Sequence, residues 1–301
     1  MSKKKREMNR TVRFISPGGE QLINDNWIVK TLETALQGWN DKLTEMWGLL
    51  SQSPETFKGG DVWQVILTIH NAMQGIGYGL LVLFFAIGIF QTAASFQDIQ
   101  RPEYALRHLI RFIAAKVAVG SSMEIILAIF NICGGIIRTA MSGMGGMASV
   151  SASLPAELVT AIDEVGFLAS IPLWLAAFLG FLVITVLSFI LILTVYGRFF
   201  KIYLFAALAP LPLASFAGEG TSAMGKAFIK SYIGVCMEGA VIVLACLIYT
   251  AFLSSSSPAV DPSLPVTTMA FQYIGQMVFN MLVLTGLVKG SDRIAKEMFG
   301  L

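Results

Sequence analysis

The chain has 301 residues, of which 55% are hydrophobic and only 13% charged, with a formal net charge of +2 and a mean hydropathy of +0.70. Soluble domains carry roughly 25% charged residues, so this composition places the chain in a membrane and argues against a soluble catalyst, a nucleic-acid-binding domain or a disordered scaffold. Two His and three Cys make a protein-built metal site unexpected, and Cys133, Cys236 and Cys246 lie in apolar runs where thiols act as small packing groups; no cofactor, metal or disulfide framework is expected.

In chain order, Lys3-Lys4-Lys5-Arg6 is followed by Glu7, Asn9, Arg10, Arg13 and Pro17 rather than by an apolar core, so no cleavable signal is expected. After Pro17-Gly18-Gly19, apolar residues recur at Ile28, Leu32, Leu36, Trp39, Leu43, Met46 and Leu50. Steps of three and four predict one amphipathic helix, capped by Asn24 or Asp25. Such a helix lies on a bilayer surface, docks on a partner or folds back onto its own bundle. Residues 1–60 therefore read as a tail and amphipathic helix, and residues 61–301 as a transmembrane helical domain.

A bilayer core needs about 20 apolar residues in a helix. Ala72–Phe90 supplies a charge-free run, with Asp61 as a cap and Trp63 at the interface. A second helix is expected to start at Pro102 and to carry Arg107, Arg111 and Lys116 into the stretch Val117–Ile137. Leu173–Tyr196, Ser231–Leu253 and Thr267–Val288 are three further spans. Ile202–Gly218 is uncharged but short, and Pro210 and Pro212 each remove a backbone donor; it reads as a kinked span or a re-entrant hairpin. Basic residues favour the cytoplasmic side. With five crossings, Arg101, Arg107, Arg198, Lys201, Lys226, Lys230, Lys289, Arg293 and Lys296 fall inside, and only Lys58 and Arg138 outside. That count favours five crossings over six and an external N-terminus, against which the exported Lys3–Arg6 cluster weighs. The Ser142–Ser153 and Ser254–Pro265 loops, which have no basic residue, then lie on the outer side.

Glu124 and Glu238 sit within expected spans, where an acidic group needs a partner, a proton or water. Either they bond across a helix pair or they face a hydrated lumen. Gln272, Gln276 and Asn280, at steps of four, place three amides on one face of the last span; they are expected against another helix or along a polar passage. Gly75 and Gly79 have the spacing of a close helix approach, and Asn71, Gln74 and Tyr78 make a weaker polar stripe beside them. Gly220, Gly225 and Lys226 match the start of a phosphate-binding loop, but Ala227 lacks the metal-binding hydroxyl and no strand precedes it. A flexible turn over Gly218–Gly225 is the simpler reading. No nucleophile–base pair or Cys/His cluster is visible, so no catalytic residue and no enzyme activity is expected.

The segments Arg198-Phe-Phe-Lys-Ile-Tyr-Leu, Ala209-Pro210-Leu211-Pro212, Gly225-Lys226-Ala-Phe-Ile-Lys230 and Glu238-Gly239-Ala240 resemble the TrbL-type polytopic inner-membrane subunit of type IV secretion and conjugation systems, in particular the form on mobile elements of Firmicutes. That resemblance implies about five spans, an external N-terminus and a channel or assembly subunit that helps DNA or protein substrates across the cytoplasmic membrane. It implies as partners the membrane lipid, other secretion subunits including separate ATPases, further copies of the chain in a homo-oligomer, and transient contact with translocated DNA. The competing readings are a secondary transporter of a small solute, a non-transporting membrane scaffold and a membrane enzyme. The transporter reading is weakened because no internal repeat is visible and only one segment is broken.

Overall fold

The structure, a computed structural model, describes residues 26–93, 102–142, 152–165, 167–255 and 264–301. Among these, all regular structure is helical: α1 (Trp27–Leu50), α2 (Asp61–Ala93), α3 (Pro102–Gly120), α4 (Ser122–Ser142), α5 (Ala156–Asp163), α6 (Phe167–Leu208), α7 (Pro210–Ala214), α8 (Ser222–Ser255) and α9 (Val266–Met298), with 3-10 turns at Phe57–Gly60 and Ser215–Ala217. Among the described residues, five stretches are long and apolar enough to cross a bilayer: Phe57–Gln91, Ser122–Ser142, Ser170–Leu208, Ser222–Leu253 and Val266–Met298. The expected all-α polytopic bundle is what the chain forms. The basic N-terminus, the Asn24 and Asp25 caps and most of the two small-residue loops lie outside the described residues.

The chain divides into two compact units, one from Met1–Trp39, Ala152–Val186 and Pro258–Phe279, the other from Asn40–Ser151, Leu187–Ser257 and Asn280–Leu301. In the first, Asn26 caps α1: its Oδ1 accepts the Ile28 amide at 3.1 Å, and its Nδ2 donates to Asp163 Oδ1 at 3.0 Å. That ties α1 to the end of α5, a short helix without an expectation from sequence. Trp27 packs on Trp174 of α6 with ring centroids 5.6 Å apart. Gly180 lies so close to α9 that a Cβ would stand 2.9 Å from Ile274 Cγ2. All seven residues of the predicted α1 stripe, Ile28 through Leu50, are buried, so α1 folds back onto its own bundle.

In the second unit α2 runs beside the end of α6 and the broken segment that follows. Trp63 approaches Tyr203, with centroids 6.1 Å apart, and a Cβ on Gly77 would stand 3.0 Å from Pro210 Cβ. A Cβ on Gly88 would stand 3.3 Å from Gly218 Cα. Phe57 stacks on Phe199 at 4.2 Å, and the Tyr203 hydroxyl donates to the Pro54 carbonyl at 2.9 Å. α4 packs on α8, where the Tyr232 hydroxyl donates to the Ile126 carbonyl at 3.1 Å.

Four expectations need correction. Ile202–Gly218 is not one element: Ile202–Leu208 ends the 42-residue α6, and α7 and a 3-10 turn make the break. Arg198 and Lys201 consequently sit inside a helix and not in a loop. The second expected helix is interrupted at Ser121, so α3 and α4 are separate. α8 starts at Ser222, ahead of Lys226, and Gly225 lies within it; the Gly225 amide donates to Ser215 Oγ at 2.9 Å, which leaves it unavailable for a phosphate. Gly75 and Gly79 are exposed, and a Cβ on either meets nothing within 4 Å. The close approach on α2 is made by Gly77 instead, because the broken segment crosses α2 there. Gly77→Leu should therefore lower the thermal unfolding midpoint of the purified chain, whereas Gly79→Leu should leave it unchanged within error; equal effects would contradict this placement.

Both breaks are held by side chains of α2. A helical carbonyl bonds the amide four residues on, and Pro210 has no amide to offer Ala206. His70 replaces it: its buried ring places Nδ1 2.7 Å from the Ala206 oxygen, and because a carbonyl only accepts, Nδ1 carries the proton. On the other side of the ring, Nε2 is 3.0 Å from Ser122 Oγ at the start of α4. One turn further along α2, Gln74 Nε2 donates to the Val119 and Gly120 carbonyls at 3.1 and 3.0 Å, which end α3. The carbonyl freed by Pro210 is thus satisfied by protein, as broken backbone at membrane depth requires.

Candidate functional site

Glu238 meets one of the two cationic side chains that α6 projects here. Arg198 and Lys201 are three residues apart and so share one helix face. Lys201 Nζ lies 3.2 Å from Glu238 Oε2 and 2.8 Å from Asp292 Oδ1, and Lys296 Nζ, one turn along α9, lies 2.9 Å from Asp292 Oδ2. Glu238 is 1% exposed, and the half-exposed Lys201 joins α8 to α9. One turn before it, Arg198 is fully buried. Its Nη2 donates to the Cys236 carbonyl at 3.1 Å, while Nε and Nη1 have no hydrogen-bond partner among the described residues. The guanidinium lies 5.9 Å from the Phe130 ring centroid and against Gly239, where a Cβ would stand 2.6 Å from Arg198 Cζ. A side chain at position 239 would occupy the space of the cation.

Beside α2's start, the Tyr196 hydroxyl donates to Glu45 Oε1 at 2.8 Å, and Lys42 donates to Glu45 Oε2 at 2.7 Å. The lysine, followed by the tyrosine, holds the Glu45 carboxyl below its ordinary range. At the far end of α2, Glu219 in the turn before α8 pairs with Arg111 at 3.1 Å and Arg107 at 3.7 Å. Arg111, as a hydrogen-bond donor, lowers the Glu219 pKa from its ordinary 4.5. A depressed folded-state pKa means that this contact stabilises the fold above about pH 4.5 and is lost as the pH falls through the lowered value. Half-exposed ion pairs contribute about 0.2–1 kcal/mol. The stability difference between the native chain and Glu219→Gln should thus vanish at low pH, and a constant difference down to about pH 3 would contradict the pairing.

The expected site residues are divided between the two units, Gln272 and Gln276 in the first and Glu124, Pro210, Pro212, Glu238 and Asn280 in the second. Glu124 is exposed in the first turn of α4, not in mid-span. On α9, Gln272 and Gln276 are exposed, whereas Asn280 is buried. Pro210 and Pro212 stand in the break, away from the amides on the chain. Only Glu238 has the charged surroundings that its position demands. The residues that answer it, Lys201 and Asp292, look from sequence like loop or tail charges; the three-residue spacing of Arg198 and Lys201 next to an apolar run is the available signal. Chemically the cluster can fix three helices and present fixed charge, and no group of three metal-binding side chains occurs among the described residues.

Residues 39–210 match the model of the family described as TrbL/VirB6 plasmid conjugal transfer like protein. The matched region includes Arg198, Lys201 and Pro210, but ends before Gly225–Lys230 and Glu238–Ala240. No curated protein and no solved structure matches the chain. With more than half of its length matched, and with five helices fit to cross a bilayer, the chain belongs to the TrbL/VirB6 family and is a multi-pass cell-membrane subunit of conjugal transfer.

Proposed function

We propose that this subunit forms part of the passage through which a conjugative type IV secretion system moves DNA or protein across the cytoplasmic membrane. The observation that carries this reading is the exposure of Gln272 and Gln276 on α9, a helix apolar and long enough to cross. An exposed amide is better placed against water or another helix than against lipid, so this face suits a hydrated lumen. A single chain with five spans scarcely surrounds such a lumen, and further copies complete it. ATP hydrolysis falls to separate subunits, and translocated DNA touches the amide face only in transit. The small-residue loops lie outside, with the N-terminus. Pro210 and Pro212 shape the segment that keeps α7 at the depth of α2's apolar stretch, and the Lys201–Glu238–Asp292 cluster holds the helices that present α9.

A scaffold reading is favoured by one observation: Glu238 and Asn280 are buried within the chain, as structural helix contacts are. Thiol labelling separates the two. In the assembled complex, Gln272→Cys and Gln276→Cys should react with small hydrophilic reagents, and Asn280→Cys should not. Inert cysteines at 272 and 276 in a transfer-competent complex would leave the chain a scaffold beside another subunit's channel.

A further inference from the structure

After Trp27, α1 exposes no large apolar side chain. Its open face carries Lys30, Glu33 and Gln37 in the first unit and Asp41 and Thr44 in the second, and steps of three and four align these five on one side of the helix. α1 is therefore not among the stretches apolar enough to cross. Its packing nevertheless puts it at membrane depth. In the first unit Trp27 lies on Trp174 at 5.6 Å, and the Cβ that Gly180 lacks would stand 3.8 Å from Leu32 Cδ2. In the second, the Tyr196 hydroxyl bonds Glu45 at 2.8 Å. The contacts follow in the same order on both helices: from Trp27 to Glu45 α1 rises about 27 Å, and from Trp174 to Tyr196 α6 rises about 33 Å, at about 1.5 Å per residue. In each unit α1 thus keeps beside α6 and runs in the same direction, along the charge-free run Leu173–Tyr196. A run of that length matches a bilayer core of about 30 Å.

At that depth α6 turns Leu179 and Leu193 outward, side chains that suit lipid. The open face of α1 does not, because charged groups facing lipid are costly and belong against a partner or water. In the first unit Ile274 of α9 meets the same Gly180, so the exposed Gln272 and Gln276 are level with Leu32 and Glu33. We propose that α1 crosses the membrane beside α6, as the first of the five crossings, and lines the aqueous passage with its polar face. This inference rests on the passage proposed above and gives it a second wall. It also gathers the basic residues. Lys58, expected outside, stands over the Tyr196 ring at 5.1 Å, at the end of α6 that carries Arg198 and Lys201. With the N-terminus outside, α1 runs inward as α6 does in the five-crossing count, and Lys58 joins those two on the inner side.

The test uses full-length chains in transfer-competent complexes; the three native cysteines are buried and stay in place. Glu33→Cys, Gln37→Cys and Asp41→Cys should react with a small hydrophilic methanethiosulfonate at least about ten-fold faster than Leu179→Cys and Leu193→Cys, because the reactive thiolate forms in water and not in lipid. In intact cells an impermeant maleimide should leave Lys58→Cys unlabelled, and should label it once the cells are opened. Inert cysteines on α1 beside reactive Gln272→Cys and Gln276→Cys would overturn the inference and leave the passage standing, with α1 covered by a partner subunit. If the cysteines on α1 and on α9 are all inert, both readings fall. Equal rates on α1 and at Leu179 and Leu193 would put α6 in water at that depth, and labelling of Lys58→Cys from outside would return the first crossing to α2; either result overturns the proposal.

Discussion

Gly239→Ala should destabilise the protein by about 1.5–3 kcal/mol, the range for losing a hydrogen bond to a charged group. The added methyl would stand 2.6 Å from Arg198 Cζ and Nη1. The guanidinium is the end of a flexible side chain, but it is fully buried, and its Nη2 is bonded to the Cys236 carbonyl. Displacing it removes that bond while leaving the charge inside. Arg198→Met removes the charge and leaves room, and since two of the guanidinium nitrogens have no hydrogen-bond partner among the described residues, it also removes the cost of an incompletely satisfied buried ion. The alanine should therefore be tolerated in the Arg198→Met background. Unfolding of the native chain, the two single variants and the double variant in detergent micelles gives the coupling directly, and additive effects would show that the two residues do not meet.

Lys201→Met should be the most damaging single change in the cluster, at about 3–5 kcal/mol, because it leaves the Glu238 carboxylate buried without its counter-charge. Asp292 retains a cationic partner on its own helix, Lys296, so the loss falls mainly on Glu238. Adding Glu238→Leu should restore most of the stability, since the pair is then replaced by apolar contact. A Lys201→Met chain that unfolds like the native one would mean that the cluster does not hold α6, α8 and α9 together.

The α1 stripe is legible in the sequence because its apolar spacing repeats along the whole helix and every member is buried by the chain's own helices. The spans are legible from the absence of charge, and Glu238 from the cost of its position. Breaks are legible only in part. Pro210 announces a missing donor, but nothing in the order of residues says that His70, far away in sequence, supplies the replacement. At Ser121 no proline marks the break, and the residues that hold it, Gln74 and Ser122, belong to different helices. Glycine spacing misleads for a related reason: Gly75 and Gly79 satisfy a local pattern, whereas Gly77 and Gly239 matter through what tertiary packing brings against them. In the sequence, Arg198 and Lys201 mark a span end because charge interrupts hydropathy. The helix continues through them, since backbone bonding is indifferent to the side chain's charge and partners on α8 and α9 answer Lys201.

Photo-crosslinking during active transfer tests most directly whether this subunit lines the path of the substrate. A benzophenone side chain placed at Gln272 or Gln276 should capture the transferred DNA strand or the secreted protein, whereas the same group at Leu193, an exposed residue in an apolar stretch of α6, should capture only lipid or neighbouring subunits. Transfer at native efficiency with no substrate captured at either amide would contradict the passage and leave the chain as part of its frame.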